Sequence, residues 1–247
     1  MITAVVPARC GSKRVPEKNY RKLLHQPLID WTLEFALGVF EIDHIIVATD
    51  CLDLIQNSNF LQGRLYEASN LQEGESVQVS SRLSIYRRAK ANAQDSSRTY
   101  DLIEEIFRVG LINSELLLLL QPTSPLRTYA EFKQALRIFR ESNSDSLFSI
   151  KVAESPHPLK CFTVGSDGKI GKVAEEFNTL TTPEISLPTY FAPDGAYYIS
   201  RLEWLLQSKT FLGINSRTFL RTSYTVNIDT ELDFKLAELL ARDFKGK

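Results

Sequence analysis

Apolar positions along the chain follow two rhythms. Ile2–Val6 is a short continuous apolar run closed by Pro7, and His44–Thr49 (HIIVAT) is another, ending at Asp50. Runs of this length read as strands buried on both faces. Between them, apolar residues recur at helical spacing at Leu28, Ile29, Leu33, Ala36, Leu37 and Phe40, with Pro27 suited to a first helical position. Strand, loop, helix, strand is the unit that builds a parallel sheet. Helical spacing returns over Thr99–Val109 and stops at Gly110. The five leucines Leu116–Leu120 read as a central parallel strand, cut off by Gln121-Pro122-Thr123-Ser124-Pro125. Thr128 and Glu131 form a capping pattern ahead of Phe132, Ala135, Leu136 and Phe139.

Further along, Leu147–Val152, Gly195–Ser200 and Tyr224–Ile228 read as strands, and Arg201–Gln207 and Thr230–Phe244 as helices. Gly165-Ser166-Asp167-Gly168 is the turn of a hairpin on a small subdomain spanning about 155–190. The segment Cys51–Arg87 is irregular and yields only a helix near its start and a strand near Leu83–Tyr86. Alternation of strands and helices predicts one α/β domain over residues 1–247, a Rossmann-like, doubly wound, mainly parallel sheet. Ligands in such sheets bind beyond the carboxyl ends of the strands, so the loops there are the places to look for chemistry.

Composition changes this picture only by exclusion. The 247 residues carry Lys+Arg 29 against Asp+Glu 30, a formal net charge of −1, which argues against a nucleic-acid-binding surface. Three cysteines, Cys10, Cys51 and Cys161, are odd in number and far apart, and they read as reduced thiols. They make no zinc-ligand spacing with the scattered His25, His44 and His157. The N-terminal apolar run lacks a basic flank and is too short for a signal peptide, and no stretch approaches the roughly 20 apolar residues of a membrane span. The expected location is the cytoplasm, without a membrane partner.

Charge is concentrated locally. From Arg9 to Lys22 the loop after the first strand holds six basic residues against one acid, Glu17. Gly11 and Pro16 keep it from being a regular amphipathic helix, and it lies where a doubly wound sheet binds ligands. Lysines and arginines there suit a polyphosphate, and Gly11 permits close backbone approach. The pattern is neither a Walker loop nor a dinucleotide fingerprint.

This segment resembles the signature of the CMP-acylneuraminate cytidylyltransferases (CMP-sialic acid synthetases), Ala-Arg-x-x-Ser-Lys-x-x-Pro-x-Lys-Asn, here Ala8, Arg9, Ser12, Lys13, Pro16, Lys18 and Asn19. Similar blocks follow in family order. They are Pro27-Leu28-Ile29 with Thr49-Asp50, Leu119 to Arg127, His157 to Lys160, Pro193 to Ile199, and Ile228 to Asp233. The resemblance implies a nucleotide-diphospho-sugar transferase type of fold, CTP as donor, Mg²⁺, an acidic nonulosonic sugar as acceptor, and a homodimer formed through the hairpin subdomain. By family position, Arg9, Lys13 and Asp229 are catalytic. Ala8, Arg9, Gly11, Ser12, Lys13, Lys18, Asn19, Arg88, Ser97 and Thr99 face the nucleotide. Gln121, Thr123, Ser124, Lys160, Asp194, Tyr198 and Phe211 face the sugar, and Asp229 with Asn227 holds the metal.

Three departures sit on functional positions. Asn227 replaces the first aspartate of the family's Asp-Ile-Asp-Thr, removing one negative charge from the metal site. Asp194 stands where the family has asparagine in Pro-Asn-Gly-Ala, and is expected to return charge near the metal or sugar. Glu184 replaces an arginine that reaches the acceptor in the family's Pro-Arg-Gln-x-Leu-Pro, which beside a sugar carboxylate would repel. The Cys51–Arg87 segment also exceeds the family's usual linker. Three readings stay open: a CMP-sugar synthetase for a sialic-acid-like acceptor, one for another ulosonic acid (legionaminic, pseudaminic or Kdo-like), and a catalytically degenerate nucleotide-binding homologue. No general base for the sugar hydroxyl stands out, which leaves metal-assisted deprotonation as the route.

Overall fold

A computed structural model describes residues 1–94, 97–153, 156–172 and 181–244, excepting the side chains of Lys172 and Glu184. Part of the expected 155–190 subdomain, and Asp95 and Ser96 of the stretch before Thr99, lie outside the described residues.

The elements in chain order are β1 (Ile2–Pro7), β2 (Lys22–Leu23), β3 (Gln26–Pro27), α1 (Leu28–Gly38), β4 (His44–Thr49), α2 (Leu52–Asn57), α3 (Leu65–Ser69), β5 (Ser76–Ser80) and β6 (Leu83–Arg87). Next come α4 (Thr99–Arg108), β7 (Leu116–Leu119), α5 (Tyr129–Glu141), β8 (Ser146–Val152), β9 (Phe162–Val164), β10 (Ile170–Lys172), β11 (Phe191–Arg201), α6 (Leu202–Ser208), β12 (Ser216–Leu220) and α7 (Glu231–Phe244). An eight-stranded sheet runs β12-β8-β11-β7-β1-β4-β6-β5. Its centre, β7-β1-β4-β6, is parallel, with Val5 opposite both Ile46 and Leu119. β11 runs antiparallel between β7 and β8, and β5 runs antiparallel to β6 at one edge.

Side-chain alternation sends the central strands' residues to two cores. Ile2, Ala4, Val6, Ile45, Val47, Leu116 and Leu118 pack with Ile29 and Leu33 of α1 and Phe132 and Phe139 of α5. Val5, Ile46, Ala48 and Leu117 pack on the other face with Leu102, Ile103 and Ile106 of α4 and Leu205 of α6. Helices on both faces make the sheet doubly wound, as expected. Thr128 caps α5 by accepting from the Glu131 N–H at 3.2 Å, and the expected 165–168 turn joins β9 to β10.

Two expectations need correcting, and one strand goes unpredicted. Tyr224–Ile228 is not a strand, because its polar groups are used across the carboxyl edge of the sheet: the Ile228 N–H donates to Thr123 O at 2.8 Å. Val226 and Ile228 instead bury against Phe234 and Ala237 of α7. The outer strand beside β8 is β12, whose SRTFL shows only Phe219 buried and so carries no readable pattern. Finally, Cys10 and Cys51 are joined as a disulfide, their Cα atoms 4.7 Å apart, which leaves only Cys161 as a thiol. The adjacent parallel ends of β1 and β4 bring them together across 41 residues of sequence.

The turn between α1 and β4 is clamped by Arg82. Its guanidinium donates to Ile42 O at 2.6 and 3.0 Å, to Val39 O at 2.5 Å and to Leu37 O at 3.2 Å. Charge-assisted bonds to three carbonyls predict that Arg82→Ala lowers stability by about 2–3 kcal/mol. Urea unfolding checks this, with a loss near zero as the contrary result.

Candidate functional site

Because β1, β4, β6 and β7 are parallel, the loops after Pro7, Thr49, Arg87 and Leu119 emerge at one edge. Strand order reverses at β1, since β4 lies on one side of it and β7 on the other. A cavity of about 350 Å³ opens at that reversal. Pro7, Arg9, Lys18 and Asn19 line it from the first loop, Arg88, Ser97, Arg98 and Thr99 from the segment entering α4, Gln121 and Thr123 from the loop after β7, and Asn227 and Asp229 from the C-terminal crossing. A second cavity of about 300 Å³ is lined by Arg9, Ser12, Lys13, Arg14, Lys18 and Asp229. Four cations there face one carboxylate, a charge balance that suits a polyanion.

The first loop is fixed at its root. Ala8, fully buried, donates its N–H to Ala48 O at 3.0 Å, Asn19 Nδ2 donates to Arg9 O at 2.9 Å, and the Cys10 N–H donates to Asp50 Oδ1 at 3.0 Å. The tip is open, and a Cβ at Gly11 would meet nothing within 4 Å. Lys18 links the loop to the C-terminal crossing: its ammonium donates to Ile228 O at 2.7 Å and lies 3.6 Å from Asp229 Oδ1. Burial is the main effect on this amine and holds its pKa below the ordinary lysine value, against the attraction of Asp229. Arg14, whose significance the sequence pattern missed, approaches Asp229 Oδ1 at 3.5 Å. The family signature leaves that position variable, so the only sequence signal for Arg14 was the basic run itself.

Segment 88–94 is organised by Glu105 of α4. Its carboxylate accepts from Tyr86 Oη at 2.6 Å, from the Ala89 N–H at 3.0 Å and from Asn92 Nδ2. Arg88 is buried beside it, donates to Asn92 O, and keeps an Nε without a hydrogen-bond partner. Burial holds Arg88 below the ordinary guanidinium range, while Asp50 and Glu105 oppose that shift. A buried donor with no partner, on a side chain that lines the cavity, suits an acceptor on the ligand.

The loop after β7 is braced from beneath. The fully buried Arg127 donates to Ala196 O at 2.8 Å, Thr32 Oγ1 at 3.0 Å and Gln121 O at 2.6 Å, and burial lowers its pKa to about 10. Ser124 is also buried and donates to Asp194 O at 2.7 Å. Gly195, at φ +79°, allows this contact: a Cβ there would lie 2.6 Å from Ser124 Oγ and 2.8 Å from Gln121 Oε1.

The structure turns Asp194 away from the role expected of it. The residue is 2% exposed, and its carboxylate pairs with Arg221 at 3.1 Å while accepting from Ser149 Oγ and the Ala196 N–H. Arg221 also reaches Glu131 at 3.1 Å. The Asp194 charge is therefore neutralised in the interior and does not compensate Asn227. Tyr198 and Phe211 contact each other, ring centroids 5.5 Å apart, and Tyr198 stacks on Phe148. Neither lines the two cavities, nor does Lys160 at the end of the turn Pro158–Lys160. Glu184 opens a short turn, Glu184–Ser186, and its side chain lies outside the described residues.

The donor set at the C-terminal crossing fits a hard divalent cation. Asn227 Oδ1 is buried and has no hydrogen-bond partner, and the Asp229 carboxylate stands two residues on. An amide and a carboxylate oxygen are ligands that Mg²⁺ accepts.

A family model described as "Cytidylyltransferase" matches residues 3–54. The N-acylneuraminate cytidylyltransferase of Streptococcus agalactiae serotype V is 28% identical over 235 residues, covering 93% of this chain and 51% of the relative. The chain thus spans about half the length of such relatives. The CMP-N,N'-diacetyllegionaminic acid synthase of Legionella pneumophila is 30% identical over 247 residues, covering 97% of this chain and 95% of the relative. Among solved structures, CMP:2-keto-3-deoxy-manno-octonic acid synthetase complexed with CTP matches with a TM-score of 0.61 at 19% identity, covering 98% of this chain and 99% of that one. That last likeness establishes the fold.

Two outcomes are expected. Asp194→Asn leaves Arg221 short of a buried partner and lowers stability by about 3 kcal/mol in urea unfolding. The same variant leaves any divalent-metal dependence unchanged; a weakened metal dependence at normal stability would return Asp194 to the site. Secondly, an anion held by the Lys18 ammonium loosens as pH rises through that group's lowered pKa. CTP affinity measured by calorimetry from about pH 7 to about pH 10 should fall, and Lys18→Arg should abolish the fall because its charge persists. Parallel declines in both proteins would contradict the assignment.

Proposed function

The chain belongs to the CMP-acylneuraminate cytidylyltransferase family, and from that premise we propose that it activates an acidic nonulosonic sugar with CTP, giving the CMP-sugar and pyrophosphate. The observation that carries this reading is the cation-lined pair of cavities at the strand-order reversal, bounded on the far side by Gln121, Thr123, Asn227 and Asp229. Nucleotidyl transfer joins a sugar hydroxyl to the α-phosphate as pyrophosphate departs, and its catalysis is positioning and charge neutralisation. Arg9, Ser12, Lys13 and Lys18 suit the triphosphate, with Lys13 and Arg9 offsetting charge on the departing pyrophosphate. Gly11 leaves room for close approach, and Ala8 and Asn19 fix the loop's root. Arg88, Ser97 and Thr99 suit the nucleoside, and Gln121 and Thr123 offer hydrogen bonds to the acceptor.

Asn227 Oδ1 and Asp229 would hold Mg²⁺, which neutralises phosphate charge and acidifies a bound hydroxyl when present. In the protein alone, Lys18 and Arg14 offset the Asp229 charge. Tyr198, Phe211, Lys160 and Ser124 belong to the acceptor side by family position, Ser124 as a buried brace. The reading includes a homodimer through the β9–β10 hairpin and a cytoplasmic location. Among the described residues, no helix is long and apolar enough to cross a membrane.

A legionaminic-type acceptor is favoured as the second reading by the Legionella relative, which matches along almost its whole length. Pyrophosphate release from CTP, assayed with sialic, legionaminic, pseudaminic and Kdo acids with and without Mg²⁺, tests both. Metal-dependent release with a nonulosonic acid is expected. CTP binding without release on any of the four acids would instead identify a degenerate nucleotide-binding protein.

A further inference from the structure

We propose that Cys10 and Cys51 are a reversible oxidation site that sets how tightly the triphosphate loop holds CTP, an inference that rests on the nucleotide reading above. Cys10 lies between Arg9, which lines both cavities, and the tip Gly11-Ser12-Lys13. Cys51 belongs to the scaffold. It is 1% exposed, precedes α2, and donates its N–H to Thr49 Oγ1 at 3.0 Å. The bridge thus ties a ligand-holding loop to a fixed strand end.

Without the bridge, the described anchors of the loop's root are hydrogen bonds: Ala8 N–H to Ala48 O, Cys10 N–H to Asp50 Oδ1, and Asn19 Nδ2 to Arg9 O. Beyond residue 10 a Cβ at Gly11 would meet nothing within 4 Å and the Arg14 side chain is 71% exposed, before Val15 buries and Lys18 bonds to Ile228 O. A covalent tie at residue 10 removes tip conformers that a bound triphosphate would otherwise have to freeze out, so the oxidised protein binds more tightly. The Asp53 carboxylate and both sulfurs lie within 4.8 Å of one another, a grouping that resembles a metal site. While joined, the sulfurs present no thiolate, so the oxidised pair carries a bond and not an ion.

The chemistry balances with a peroxide as oxidant. One thiolate attacks a peroxide oxygen, giving a sulfenic acid and a hydroxide, which takes up the proton that thiol released and becomes water; the second thiol displaces the sulfenic hydroxyl as another water, closing the S–S bond. A dithiol reductant reverses the step by thiolate attack on one sulfur, leaving two protein thiols and its own disulfide. In a reducing compartment such a bond is transient and regulatory.

The test titrates CTP alone, without sugar acid, into protein treated with a dithiol or with peroxide, and counts alkylated cysteines by mass spectrometry. Alkylated in denaturant, reduced protein should show all three cysteines modified, and oxidised protein Cys161 alone. The Kd for CTP should be about three- to tenfold lower in the oxidised state. Cys51→Ser should keep the reduced-state Kd under both treatments. Equal Kd values in the two states, a shift that persists in Cys51→Ser, or three alkylated cysteines after peroxide would overturn the proposal. Absence of CTP binding in both states would overturn the nucleotide reading and the switch together.

Discussion

Two buried guanidinium groups hold the carboxyl edge of the sheet in shape. Arg127 gathers the carbonyls of Gln121 and Ala196 and the hydroxyl of Thr32, while Arg221 joins Asp194 to Glu131. Burying such charges is costly unless each donor is satisfied, and here the partners come from β11, α1, α5 and the loop after β7. The cost brings specificity: elements distant in sequence meet in one arrangement, and Gln121 and Thr123 are presented at the cavity.

On that base the site separates charge by sign. The chain is nearly neutral overall, yet Arg9, Lys13, Arg14 and Lys18 converge on one side and Asn227 and Asp229 close the other. Lys18 joins the halves, since the same ammonium touches Ile228 O and the Asp229 carboxylate. Burial weakens its hold on its proton, so the group that joins the two sides of the cavity is also sensitive to alkaline pH. Glu105 does comparable work on the cavity's other flank by pinning residues 86, 89 and 92 to α4.

Much of this was legible in the sequence for physical reasons. Strands buried on both faces leave continuous apolar runs, which is why β1, β4 and β7 stood out. Edge strands do not: β5 and β12 bury too few side chains to make a pattern. Tyr224–Ile228 misled because alternate burial of Val226 and Ile228 is real but serves packing against α7, not ladder pairing. The first-loop cations were readable from charge and position, whereas Arg14 was hidden by a variable place in the signature. The burial of Asp194 was hidden because only Arg221, just past β12, reveals where its charge goes. The Cys10–Cys51 pair was concealed by 41 residues of separation, although both cysteines follow strands that turn out to be parallel neighbours.

CTP is expected to lie across the strand-order reversal, triphosphate on the first loop and nucleoside against the 88–99 segment. A crystal structure of the CTP complex measures this most directly. Phosphate oxygens should lie within hydrogen-bond reach of Arg9, Ser12, Lys13 and Lys18, with the nucleoside beside Arg88 and Thr99. CTP bound at any other edge of the sheet, or in the reverse orientation in this cavity, would contradict that placement.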